Sequence, residues 1–120
     1  MQNSENLLNQ KLDNSNTSVP MPVLSEYMDY RLFLADFYLA KKSLTRLSIR
    51  PYSYAIFSAA ADIKSPNYLK MIIEAKRNLS LDMVSKFSKA CGFNKAQTDE
   101  FRLLVIFNQA EDPADRNYAL

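Results

Sequence analysis

The residues whose types and spacing best suit chemistry lie between 64 and 78. Projected at about 100° per residue, a helix over 65–74 places Leu69, Ile72 and Ile73 on one face. Asn67, Lys70, Met71 and Glu74 fall on or near the opposite face, with Tyr68 at the side. Amide, ammonium and phenol groups carry the donors and acceptors that meet base edges in a major groove. Asn67, Tyr68, Lys70 and Met71 are therefore candidate base contacts. Lys64, Ser65, Lys76, Arg77 and Asn78 flank them and suit phosphate oxygens, together with the amide ends of the helices starting near 65 and 80. Glu74 opposes this reading, because a carboxylate in the groove repels phosphates unless it accepts from a cytosine amino group.

The inventory excludes most other chemistry. The chain has no His and one Cys, so Ser-His-Asp and Cys-His couples, a His general base and a His–Cys metal cluster are all missing. We expect no enzymatic activity, no metal and no cofactor. Cys91 lies in an apolar setting before Gly92 and reads as a buried structural thiol without a role. The net charge of +2 hides a segregation: residues 1–40 carry −3, residues 41–95 carry +8, and residues 96–120 carry −3. A basic centre between acidic ends is a polyanion-binding footprint.

Helices must position these groups. With 120 residues, 48% hydrophobic, the chain suffices for one domain with a core. It has one Gly where average usage gives about eight, which disfavours a fold built on β-turns and favours an all-α one. Residues 1–25 are rich in Asn, Ser and Gln and read as a disordered, flexible N-terminal arm. Within it, Leu7, Leu8 and Leu12 have the spacing of a short segment that could dock on a partner.

The folded domain is expected over 26–112, followed by a tail at 113–120. Tyr30, Phe33, Leu34, Phe37 and Leu44 recur with helical period, predicting a first helix over 26–44 started by Ser25 and Glu26. A second covers about 53–61, and 62–64 form a tight connection. Ser65 is placed as N-cap and Pro66 as first helical residue of the third, which runs to Ile73. Ser80 caps a fourth helix that closes on Gly92. Asn94 caps a fifth over about 95–109, ended by Asp112 and Pro113. The order is short helix, tight turn, capped helix, as in a helix-turn-helix.

Residues 53–93 resemble the helix-turn-helix of the lambda-repressor/Cro-like superfamily, including the stretch "KRNLS" and the helix ending "KACGF". With "YRLFLADFYLAKKS" before and "FRLLVIFNQAEDP" after, residues 30–113 resemble more closely the N-terminal half of an uncharacterised bacterial family of transcriptional regulators. The combination "SPNYLK…KRNLS…FNQA" carries that likeness over about 70% of the chain. The resemblance implies a five-helix, DNA-binding, cytoplasmic and nucleoid-associated module. It also implies a Gly where Ala75 stands, and a further C-terminal domain beyond the length of this sequence.

The fifth helix is apolar around most of its circumference, which points to a second chain covering part of it. Phe101, Leu104, Val105 and Phe107 are the candidate interface. A homodimer would set two recognition helices about 34 Å apart on half-sites of duplex DNA. The alternative is a protein–protein adaptor that uses the fifth helix or the N-terminal arm and does not bind DNA specifically. The longest apolar run, 103–107, is far below the ~20 residues of a membrane helix, so no span is expected.

Overall fold

The computed structural model describes residues 19–110. Five helices account for the domain: α1 (Tyr30–Thr45), α2 (Tyr54–Ala60), α3 (Tyr68–Ile73), α4 (Leu81–Cys91) and α5 (Lys95–Ala110). No strand occurs among the described residues. The all-helical expectation therefore holds.

Four of the five helices, all but α3, begin where a side chain serves the unpaired amides of the first turn. Ser53 Oγ accepts from Ile56 N at 3.2 Å for α2, and Ser80 Oγ accepts from Met83 N at 3.3 Å for α4. Asn94 and Gln97 exchange bonds reciprocally at the start of α5, with Asn94 Oδ1 to Gln97 N at 2.8 Å and Gln97 Oε1 to Asn94 N at 2.9 Å. Gly92 closes α4 in the left-handed region at φ 75°, as its sequence position implies.

Two expected starts move. The first helix opens at Tyr30 and not at 26, because Asp29 Oδ1 takes the Arg31 and Leu32 amides at 2.9 and 3.3 Å. Leu24–Glu26 instead form a 3-10 turn. The third helix opens at Tyr68, and Ser65 does not cap it. The Ser65 carbonyl is held by Ser58 Oγ at 2.8 Å, which draws 61–67 into one longer connection.

Part of the arm expected over 1–25 lies against the folded body. Val19 N donates to Ser43 Oγ at 3.2 Å, Leu24 is buried, and Tyr27 packs edge-on against Phe33. Residues 19–25 thus belong to the folded body. Tyr27 Oη donates to Asp36 at 2.6 Å, and that hydrogen bond to the carboxylate pushes the phenol up to about 12. Leu7, Leu8, Leu12 and the tail at 113–120 lie outside the described residues.

The core is built from aromatic rings meeting mainly at edges and tilts. Phe33 on α1 lies 5.7 Å from Phe93 and 6.4 Å from Phe101, while Phe57 of α2 meets Phe87 of α4 edge-on at 5.0 Å. Such pairs add about 0.5–1.5 kcal/mol each beyond area burial. Leu69, Ile72, Val84 and Val105 fill the gaps with no measurable exposure.

One glycine cannot serve three left-handed positions, so Asp62 (φ 58°) and Ala75 (φ 59°) occupy the other two. Ala75 follows α3, where Lys76 N bonds back to Met71 O at 2.9 Å. Alanine gains nothing from that conformation and carries the Cβ clash that glycine lacks. Ala75→Gly is expected to stabilise the protein by about 1 kcal/mol, read as a higher midpoint in urea unfolding. An unchanged midpoint would remove the strain from the account.

Candidate nucleic-acid interface

The short helix α3 is fixed by its inner face. Leu69 and Ile72 are wholly buried, which turns Asn67 and Lys70 fully outward and leaves Met71 half-covered. Tyr68 does not join them. It lies one helical turn from Ile72, so it shares the buried face. Its ring meets Phe87 edge-on at 5.8 Å and is 6% exposed, which withdraws it as a base contact.

The basic groups surround this outward face. Lys64 and Ser65 are exposed on the α2–α3 connection, and Lys76 and Arg77 follow α3. The Arg77 guanidinium sits 4.5 Å above the Tyr68 ring, so the buried tyrosine carries an exposed arginine. Both carboxylates nearby have a lysine partner: Glu74 with Lys76 at 3.3 Å, and Asp62 with Lys89 at 2.6 Å. The Lys89 hydrogen bond holds the Asp62 carboxyl below its usual range. Lys86 adds a bond to the Asp62 carbonyl at 3.0 Å, tying the α2–α3 connection to α4.

Asn78, expected as a phosphate contact, is engaged through its acceptor side. Its Oδ1 accepts from Arg31 Nη2 at 2.7 Å, and it is half-buried. Arg31 Nη1 also donates to the Ile72 carbonyl at 2.6 Å and the Arg77 carbonyl at 3.0 Å. One arginine on α1 thereby ties the end of α3 to the turn that follows it. Gln109 completes the brace from α5. Its Oε1 accepts from Leu79 N at 2.7 Å and Tyr30 Oη at 2.6 Å, and its Nε2 donates to Leu79 O at 3.0 Å. Asn108 beside it binds Tyr30 N at 2.8 Å and Met28 O at 2.9 Å.

Sequence reasoning missed these positioning residues as such. The one legible signal was Arg31, a lone basic residue among the acids of 13–40. Asn108 and Gln109 entered only as letters of a motif.

The expected interface on α5 is out of phase. Phe101 and Val105 are wholly buried, Phe101 lying between Tyr30 at 6.1 Å and Phe93 at 5.7 Å, and Leu104 packs partly against the same core. Of the four expected residues only Phe107 faces outward, at 52% exposure, and it is joined by Leu103 and Ile106. In a run of five apolar residues, the core side is set by Phe101 one turn earlier, which sequence alone does not reveal. Cys91 packs against the core, and burial pushes its thiol up to about 12, far from a reactive range.

No helix among the described residues is long and apolar enough to cross a membrane. Comparison with family models, curated proteins and solved structures gave no significant match.

Gln109→Ala strips partners from the buried Leu79 amide and carbonyl and from the Tyr30 hydroxyl together. A loss of about 2–4 kcal/mol is expected in urea unfolding, since orphaned buried polar groups cost more than the bond itself was worth. A loss below about 0.5 kcal/mol, within the range of ordinary surface substitutions, would show that water replaces the brace.

Proposed function

We propose that this chain is a sequence-specific duplex-DNA-binding regulator of the lambda-repressor/Cro-like helix-turn-helix kind, acting as a dimer. The observation that carries the reading is the outward face of α3: Asn67, Lys70 and Met71 form a small polar tip flanked by Lys64, Ser65, Lys76 and Arg77. In this reading α3 enters the major groove, and α2 crosses the phosphate backbone. Asn67 suits adenine N6 and N7, and Lys70 suits guanine O6 and N7. Arg31 and Gln109 touch no DNA; with the Asn78 side-chain carbonyl oxygen they hold the turn after α3 at its angle.

The carboxylates do not defeat this reading. Exposed ion pairs are worth little in water, so Lys76 can leave Glu74 for a phosphate at small cost. Capture of sheared genomic DNA at about physiological salt, followed by sequencing, should recover a few sites sharing a two-fold motif. Lys76→Ala with Arg77→Ala should weaken binding to all sequences and lower the slope of log K against log salt by about two. Asn67→Ala should instead change the preferred sequence. A flat recovery profile, or a double mutant with the parental slope, counts against the proposal.

Leu103, Ile106 and Phe107 support the dimer and are equally what a protein-binding adaptor would offer. Phe107→Asp places a charge in that stripe without touching the core. If α5 pairs two copies, the mutant should sediment as a monomer at concentrations where the parent is a dimer, and should lose affinity for two-fold sites. A parent that is monomeric throughout and captures no specific DNA would favour the adaptor.

A further inference from the structure

The connection between α1 and α2 is the other basic surface, and neither the helical pattern nor the groove-facing helix accounts for it. No acidic residue occurs between Asp36 and Asp62, whereas Lys41, Lys42, Arg46 and Arg50 do. Lys41 lies 5.3 Å from the Tyr52 ring and Lys42 lies 5.4 Å from the Tyr38 ring. Arg46 and Arg50 are exposed on the loop, with Leu47 and Ile49 between them at 86% and 100% exposure.

This loop is braced. Thr45 O accepts from Ser48 N at 2.9 Å and from Ser48 Oγ at 2.8 Å, and Thr45 Oγ1 accepts from Tyr52 N at 2.8 Å. One threonine closes both ends, so the two aliphatic side chains stand on a fixed tip. Lone surface aliphatics are ordinary. Two on a closed tip between two arginines, with no carboxylate in the segment, form a unit that faces polyanion.

On the proposed reading that polyanion is duplex DNA. An open cleft of about 550 Å³ runs from Arg50 and Pro51 past Ser53 to Ala55, Ile56 and Ala59 on the outer side of α2. Arg50 is the one charged residue at its rim, and Ala55 and Ala59 keep its α2 wall low. The helix spans about 10 Å at 1.5 Å per residue.

We infer that the 46–50 loop enters the minor groove flanking the α3 site, Arg46 and Arg50 binding its phosphates and Ile49, with Leu47, wedging a base step open. The inference rests on the DNA-binding reading and extends it to a second contact. Apolar wedges of this kind kink duplexes by about 20–90°, and arginine favours narrow A·T-rich minor grooves.

The test uses the whole chain and an end-labelled duplex of about 24 bp in which a two-fold site recovered by genomic capture is flanked by alternating A·T, with binding read by anisotropy and bending by energy transfer between the ends. The parent should bind and shorten the end-to-end distance. Ile49→Ser should still bind but leave the duplex straight, and Arg46→Ala with Arg50→Ala should lower the salt slope by about two. These side chains are exposed, so the variants should keep the parental circular dichroism.

If the Lys76 and Arg77 double mutant is weakened while the loop variants bend DNA and respond to salt like the parent, the loop inference fails and the DNA-binding reading stands. If the parent binds no duplex even at about 50 mM salt, the DNA-binding reading fails and takes the loop with it. Parent retained on phosphatidylglycerol vesicles but not on duplex, with retention lost in Ile49→Ser, would overturn both and assign the tip to a lipid surface.

Discussion

A six-residue helix cannot hold its own direction, and the turn that ends α3 closes on its own backbone alone, through Glu74 N to Lys70 O and Lys76 N to Met71 O. Arg31 answers that constraint. Its guanidinium collects the Ile72 and Arg77 carbonyls and the Asn78 side chain in one fork, a geometry that a lysine ammonium could not reproduce. Because Arg31 stands on the first turn of α1, the longest run of core contacts is coupled to the position of the shortest helix. Gln109 reaches the same turn from α5 through Leu79, so both long helices hold α3 in place.

The same constraint explains where backbone strain is tolerated. Asp62 and Ala75 bracket α3, and both adopt the left-handed conformation that the chain's one glycine does not supply there. At Asp62 the side chain repays the conformation by reaching Lys89, and the carbonyl receives Lys86. Ala75 has no such compensation; its turn is kept closed by Lys76 bonding back to Met71 and by the Arg31 fork beneath it. A strained turn over-determined by hydrogen bonds from two other helices is rigid, and rigidity is what a surface needs to meet a fixed partner.

How much of this was legible follows from the range of the interactions concerned. Helix existence and most ends are local matters, and Ser80, Gly92 and Asn94 announce them correctly. Ser25 and Ser65 misled because Asp29 stood nearer the first buried residue, and because Ser58 captured the carbonyl that a cap at Ser65 would have left for α3. Helix phase is less local. Tyr68 was placed at the side of its helix as a base contact, and Phe101 and Val105 in an interface, yet each lies on the side that contains the next buried residue one turn away. The braces were illegible, since Arg31 meets its partners 41 to 47 residues away and Tyr30 meets Gln109 across 79. No periodicity records such a bond.

The candidate interface adds one further step. Its two carboxylates are both engaged by lysines, but they are not equivalent. Asp62 is part of the α2–α3 connection, and losing Lys89 would free a turn that the scaffold needs. Glu74 caps nothing: its partner Lys76 is two residues away and largely exposed. On the proposed reading, Lys76 moves to phosphate and Glu74 remains at the groove with no cation of its own. A carboxylate so placed is repelled by phosphate and by the N7 and O6 acceptors of guanine, and finds a donor in the N4 amino group of cytosine. The residue that argues most against nucleic acid in the sequence thus becomes the one that discriminates most sharply among bases, because its cost is offset at one base pair and nowhere else.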